Sequence, residues 1–159
     1  MEIERKFIVK NLPTVIKDYP SYKIEQAYLC TDPDMRIRKK DNEYYMTYKN
    51  KGNGMLSREE IEIPLPGAMY ECLKQKMIGN VIKKERFKVP YKNFLLEIDI
   101  FEEPYKPLIL AEVEFPSEEL AKAFIPPLWF DKEVTEDPRY RNGYMATKMV
   151  IKEDIQEET

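Results

Sequence analysis

Ionisable side chains recur along this 159-residue chain at a spacing of two. Glu2, Glu4 and Lys6 open the series, and Arg36 with Arg38 continues it. Arg58, Glu60 and Glu62, then Lys84 and Arg86, then Glu97 and Asp99, then Glu112 and Glu114 repeat it. In a β-strand successive side chains point to opposite faces, so each group places two or three charges on one surface. What the chain lacks limits the chemistry open to such a surface. It has no histidine, and its two cysteines, Cys30 and Cys72, form no metal-ligand spacing. Acid–base or metal work therefore falls to Asp, Glu, Lys, Tyr or Cys, and a hard, oxygen-seeking cation suits these donors better than zinc.

The elements that must carry these groups follow from the same alternation. In the first nine residues Ile3, Phe7 and Val9 oppose the charged face, with Arg5 as the exception. Further strands are predicted over 22–30, 35–40, 43–49, 57–64, 81–89, 94–101 and 110–115, which makes eight. Thr31-Asp32-Pro33-Asp34 and Asp41-Asn42 have turn composition, and the loop holding Gly52 and Gly54 can adopt positive φ, so hairpins are expected. Apolar residues at helical spacing predict a helix over 68–78 that stops at Gly79-Asn80. A second helix starts at Ser117, a capping residue followed by Glu118 and Glu119 at the positive end of the dipole. A third is predicted over 142–152, and a short helical turn over 14–18.

Eight strands in one phase permit two structures. One is an open antiparallel sheet with a wet charged face. The other is a barrel that closes on itself and removes exposed edges. Inside a barrel the charges must satisfy one another or a ligand, because isolated buried charges are very costly. The pattern alone leaves both open.

Length and composition set the outer limits. The length fits a single domain, 1–159, able to bury a core. With 26 Lys and Arg against 29 Asp and Glu, the net charge is −3, which argues against a general nucleic-acid binder. No leading apolar segment suggests a signal peptide or membrane span, and two free thiols suit a cytoplasmic location.

The residues also point to a family. Glu2-Ile3-Glu4-Arg5-Lys6 resembles the ExExK signature of the CYTH superfamily, the triphosphate tunnel metalloenzymes. The resemblance continues through Arg36-Ile37-Arg38, Lys49, the run Arg58 to Glu62, Arg86, Glu97-Ile98-Asp99, Glu112-Val113-Glu114, Glu133-Val134-Thr135 and Arg139-Tyr140-Arg141-Asn142. It implies an α+β, mainly β fold: a closed eight-stranded antiparallel β-barrel whose lumen is a charged tunnel, with helices packed on the outside.

A triphosphate needs cationic groups at successive depths. The resemblance implies that Arg36, Arg38, Lys49, Arg86 and Lys132, with Lys6, Arg58 and Lys84, supply them. Glu2, Glu4 and Glu114 are the implied ligands of Mg²⁺ or Mn²⁺. Glu60, Glu62, Asp99 and Glu112 would hold a second ion or keep the cations ordered. The expected reaction is hydrolysis of a small-molecule triphosphate by in-line attack of water on a terminal phosphorus, with Glu4, Lys6 and Arg38 as the catalytic set and Lys6 helping to activate the water. An adenylate cyclase using the same triphosphate grip is the alternative, and a non-catalytic polyphosphate-binding module is the alternative of another class. The oligomeric state is not legible.

Overall fold

The computed structural model describes residues 3–50 and 60–148. Eight strands, β1 (Ile3–Ile8), β2 (Ser21–Cys30), β3 (Asp34–Lys40), β4 (Glu43–Lys49), β5 (Glu60–Pro64), β6 (Ile78–Tyr91), β7 (Phe94–Phe101) and β8 (Ile109–Phe115), form one antiparallel sheet. Their spatial order is β1-β8-β7-β6-β2-β3-β4-β5. Three helices, α1 (Gly67–Lys74), α2 (Glu118–Ala123) and α3 (Asn142–Lys148), complete the expected mainly β fold. Part of the predicted fifth strand and the end of the predicted last helix fall outside the described residues.

The alternation read from the sequence sets which face meets which layer. Phe7, Val9, Phe87, Val89, Leu96, Ile98 and Val113 belong to one apolar cluster, where they meet Phe124, just past the end of α2. Arg5 shares this outer face, which explains its break in phase. Its guanidinium lies 5.2 Å from the Phe7 ring centroid and donates to the Ala121 and Phe124 carbonyls at the C-terminal end of α2. The outer residues of β2 and β3 pack instead on α1, with Ala27, Ile37 and Tyr70 at the centre. Ser117 caps α2 by accepting from Leu120 N–H, as its composition suggested.

Closure is where the sheet departs from expectation. Among the described residues β1 and β5, the ends of the strand order, share no ladder. The outer edge of β1 is taken by another segment: Ile8 N–H donates to the Lys132 carbonyl, and the Asp131 and Val134 N–H groups donate to Ile8 and Lys6 carbonyls. β5 has five residues, all exposed. Among the described residues the sheet curls around its charged face without sealing the seam by strand pairing.

The third helix also departs from the expected arrangement. Met145 and Ala146 of α3, with Tyr140 before it, pack against Ile8, Tyr28, Ile82, Phe101 and Leu110. Those residues are in phase with the charged side chains, so α3 caps the inner face and not the outer one. Tyr105 Oη donates to the Met145 carbonyl at 2.6 Å and Asn80 Nδ2 donates to that of Ala146 at 3.4 Å, which ties down the helix. Residues 78–80, expected to end α1 and turn, instead open β6. Gly79 sits at φ +69°, and a Cβ there would lie 2.1 Å from the Ala146 carbonyl oxygen. Glycine is required at this point because α3 approaches the strand backbone.

Candidate active site

The register brings the charged side chains to one level after another. Glu4 faces Glu114 and Lys6 faces Glu112 across β1 and β8, while Glu112 faces Glu97 on β7. Arg86 faces Asp99, Arg36 faces Thr47, and Asp34, Lys49 and Glu60 form a row across β3, β4 and β5. Together they enclose a cavity of about 240 Å³. Of the expected cations, Lys6, Arg36, Arg38, Lys49, Lys84 and Arg86 line it. Of the expected carboxylates, Glu4, Glu60, Glu62, Glu112 and Glu114 do so. Asp99 lies buried behind the wall, and Lys132 is exposed and not among the lining residues. Glu2 and Arg58 lie outside the described residues.

Charge is largely segregated around the cavity, with Lys6 as the cation on the acidic side and Asp34 as the carboxylate on the basic side. β7, β8 and β1 present Glu97, Glu112, Glu114 and Glu4, while β3 and β6 present Arg36, Arg38, Lys84 and Arg86. Asp99 joins the two walls. It accepts from Arg86 Nε and Nη2 at 2.7 and 2.8 Å and pairs with Lys84 Nζ at 2.8 Å. Burial works against the Asp99 charge, but Lys84 and Arg86 outweigh it and hold the carboxyl well below its usual range. Burial also opposes the Arg86 charge, yet Asp99, Glu112 and Glu97 raise this group further above its ordinary value. Lys84 goes the other way. Burial, aided by repulsion from Arg86 and Arg38, exceeds its attraction to Asp99 and brings it down to about 7.

Lys6 is held from two sides. Its Nζ donates to the Tyr140 carbonyl at 3.0 Å and pairs with Glu112 at 3.4 Å. Burial would raise Glu112, but Lys6 and Arg86 bring it down to about 2. Across the cavity Arg38 is lowered to about 10 by burial and by repulsion from Arg36 and Arg86. Crowding three guanidinium groups is unfavourable in isolation and becomes favourable beside an anion. Arg36 points the same way: its Nε is buried with no hydrogen-bond partner among the described residues. Such an orphaned donor costs free energy until an acceptor fills the place.

Asp99 and Glu112 are committed to Lys84, Arg86 and Lys6. Glu4 and Glu114 face one another on neighbouring strands and offer hard oxygen donors at the cavity wall. Among the described residues no three carboxylates cluster as a cation cage. Two facing carboxylates suit Mg²⁺, which keeps several waters and binds one or two carboxylates together with phosphate oxygens.

The structure adds residues to which the sequence assigned no role. Tyr28, Asp34, Glu97, Arg141, Asn142 and Gly143 also line the cavity. Glu97 follows from its phase with Asp99. Arg141 and Asn142 stand in a stretch already noted for its resemblance, but no periodicity shows that it folds back over the inner face. Gln26, fully buried, accepts from Arg38 Nε and Nη2 at 2.9 and 2.7 Å. The charged pair of its strand, Lys23 and Glu25, stands in the opposite phase and so marks the other face.

No helix among the described residues is long and apolar enough to cross a membrane. The family model for the CYTH domain matches residues 1–124. An inorganic triphosphatase of Nitrosomonas europaea is 43% identical over 150 residues, covering 91% of this chain and 96% of that protein. An inorganic triphosphatase of Acetivibrio thermocellus is 35% identical over 155 residues, covering 91% and 92%. A crystal structure of an inorganic triphosphatase superposes with a TM-score of 0.72 at 38% identity, covering 92% of this chain and 94% of that one. With a family model over most of its length, two relatives along nine-tenths of it and a solved structure of the same fold, this chain belongs to the CYTH domain family.

Proposed function

We propose that this protein is a divalent-metal-dependent hydrolase that splits inorganic tripolyphosphate into orthophosphate and pyrophosphate. The observation that carries the reading is the buried Arg36 Nε, without a hydrogen-bond partner among the described residues, in a cavity wall shared with Arg38, Lys84 and Arg86. These cations repel one another until a polyanion lies between them, and a chain of phosphoryl groups is the ligand whose charge and spacing match. Lys49 and Arg141 extend the grip along the cavity. The relatives named inorganic triphosphatase favour tripolyphosphate over a nucleotide and hydrolysis over cyclisation.

Glu4 and Glu114, with Glu2, are the residues that would hold Mg²⁺ or Mn²⁺. When bound, the cation would screen carboxylate from phosphate and stabilise charge on the phosphoryl oxygens. The protein's own groups do the rest. Arg36 and Arg38 orient the triphosphate and stabilise charge as water attacks the terminal phosphorus in line and the anhydride P–O bond breaks. Lys6 Nζ, fixed by Glu112 and the Tyr140 carbonyl, faces the acidic wall and helps to activate the water. Asp99 and Glu112 keep the cations in place, as do Glu60 and Glu62 at the β5 side. A cytoplasmic location fits a small polyanionic substrate and the two free cysteines.

Incubation with tripolyphosphate, ATP and thiamine triphosphate, each with Mg²⁺ or Mn²⁺, tests the reading. Orthophosphate release, fastest from tripolyphosphate and abolished by chelator, is expected. Cyclic nucleotide from ATP, or no product from any of the three, would overturn it.

A further inference from the structure

Asn142, the first residue of α3, sits at a junction that the hydrolysis reading does not use. Its Oδ1 accepts from Lys84 Nζ at 3.0 Å on β6 and from Gln26 Nε2 at 2.8 Å on β2. Gln26 Oε1 in turn accepts from Arg38 Nε and Nη2 at 2.9 and 2.7 Å on β3. One asparagine thus links two phosphate-facing cations on different strands through a single buried glutamine.

Both amide orientations are determined by the ends of this relay. Arginine is a donor only, so the Gln26 oxygen must face Arg38, the Gln26 amide nitrogen is left to meet the Asn142 oxygen, and that oxygen also accepts from Lys84. No member can be reversed without setting donor against donor. The relay passes through fully buried Gln26 and Lys84, which is 1% exposed, where water is poorly placed to substitute.

We propose that Asn142 is a positioning residue for triphosphate binding: it fixes Lys84 directly and Arg38 through Gln26, so that the C-terminal segment sets the geometry of the cationic wall. The proposal rests on the triphosphatase reading. Without the Asn142 oxygen, Lys84 and the Gln26 amide each lose an acceptor. Gln26 then gains freedom to rotate, and Arg38 loses the fixed oxygen that holds its fork. The cations remain, but their alignment on the substrate does not.

The test is steady-state hydrolysis of tripolyphosphate by the wild type, Asn142→Ala, Gln26→Leu and the double variant, with thermal midpoints measured alongside. Each single variant should raise KM roughly tenfold or more, with a smaller change in kcat, as for loss of a hydrogen bond to a charged group. The double variant should be little worse than the worse single, because both changes break one relay. A mainly structural role for Asn142 would lower the thermal midpoint and leave KM unchanged in the folded protein, or give losses that multiply. Either result would overturn the proposal. If Asn142→Ala does not fold, Gln26→Leu keeps α3's own side chains and decides the matter by the same KM criterion. A wild type that releases no orthophosphate from tripolyphosphate overturns the hydrolysis reading and this inference together. A fully active wild type with unaltered KM in the variants overturns this inference alone.

Discussion

Lys84 Nζ and Asp99 Oδ2 lie 2.8 Å apart, and each side chain is only 1% exposed. The carboxylate also takes the bidentate fork of Arg86, so one anion compensates two cations out of water. Removing that anion takes from Lys84 its carboxylate partner and leaves Arg86 with only the longer pairs to Glu97 and Glu112. Asp99→Ala is therefore expected to cost about 3–5 kcal/mol, the range for breaking a buried pair by deleting one partner. Chemical denaturation measures this directly; a loss below about 1 kcal/mol would mean that Asp99 is not the electrostatic centre of the wall.

The same pair has a pH signature. Asp99 is depressed in the folded state, so its stabilisation is present above the ordinary carboxylate range and is lost as pH falls through its low folded value. Lys84, at about 7, is largely uncharged at pH 8.5 in the free protein. A polyanion beside it favours the charged form, so the complex holds more protons than the free protein. Tripolyphosphate binding at pH 8.5, measured by calorimetry with chelator in buffers of different ionisation enthalpy, should take up protons. Lys84→Met should remove that uptake.

Much of this wall was legible before any coordinates. A period of two placed Glu4, Lys6, Arg36, Arg38, Lys84, Arg86, Glu112 and Glu114 on one face, because strand geometry leaves the side chains no other choice. The residues that complete it were not legible for a physical reason. Gln26 is polar but uncharged, and Asn142 reaches the cavity only because 138–148 folds back over the inner face. That path depends on Gly79, which reads in sequence as a helix stop. Lys132 shows the converse: its charge suggested the cavity, while its backbone is used as an edge partner of β1.

Cation dependence is expected on the proposed reading, in which Glu4 and Glu114, facing each other across β1 and β8, hold the ion. Asp99 and Glu112, buried among the strands, are matched by Lys6, Lys84 and Arg86. Chelation should therefore abolish turnover while the thermal midpoint stays nearly constant. Glu4→Gln and Glu114→Gln should each raise the Mg²⁺ or Mn²⁺ concentration for half-maximal rate by roughly tenfold or more, a loss comparable to that seen when a ligand's supporting shell is removed. An unchanged metal requirement in both variants would place the cation elsewhere.

Gly79 couples the outer fold to the cavity most directly. It adopts φ +69°, where an L side chain is strained by roughly 1–2 kcal/mol. A Cβ would also lie 2.1 Å from the Ala146 oxygen and 2.7 Å from its carbonyl carbon, both backbone atoms that cannot rotate away. Gly79→Ala must therefore push α3 off β6, and with it the carbonyls held by Tyr105 and Asn80. Asn142 opens the same helix, so its contacts with Lys84 and Gln26 loosen as well. The variant should lose stability by more than the strain alone, and it should become cleavable by protease around 142–148. KM for tripolyphosphate should rise in the protein that remains folded. Normal KM with an α3 that protease readily cleaves would separate the helix from the cationic wall; normal protease resistance would mean that the strand, not the helix, gives way.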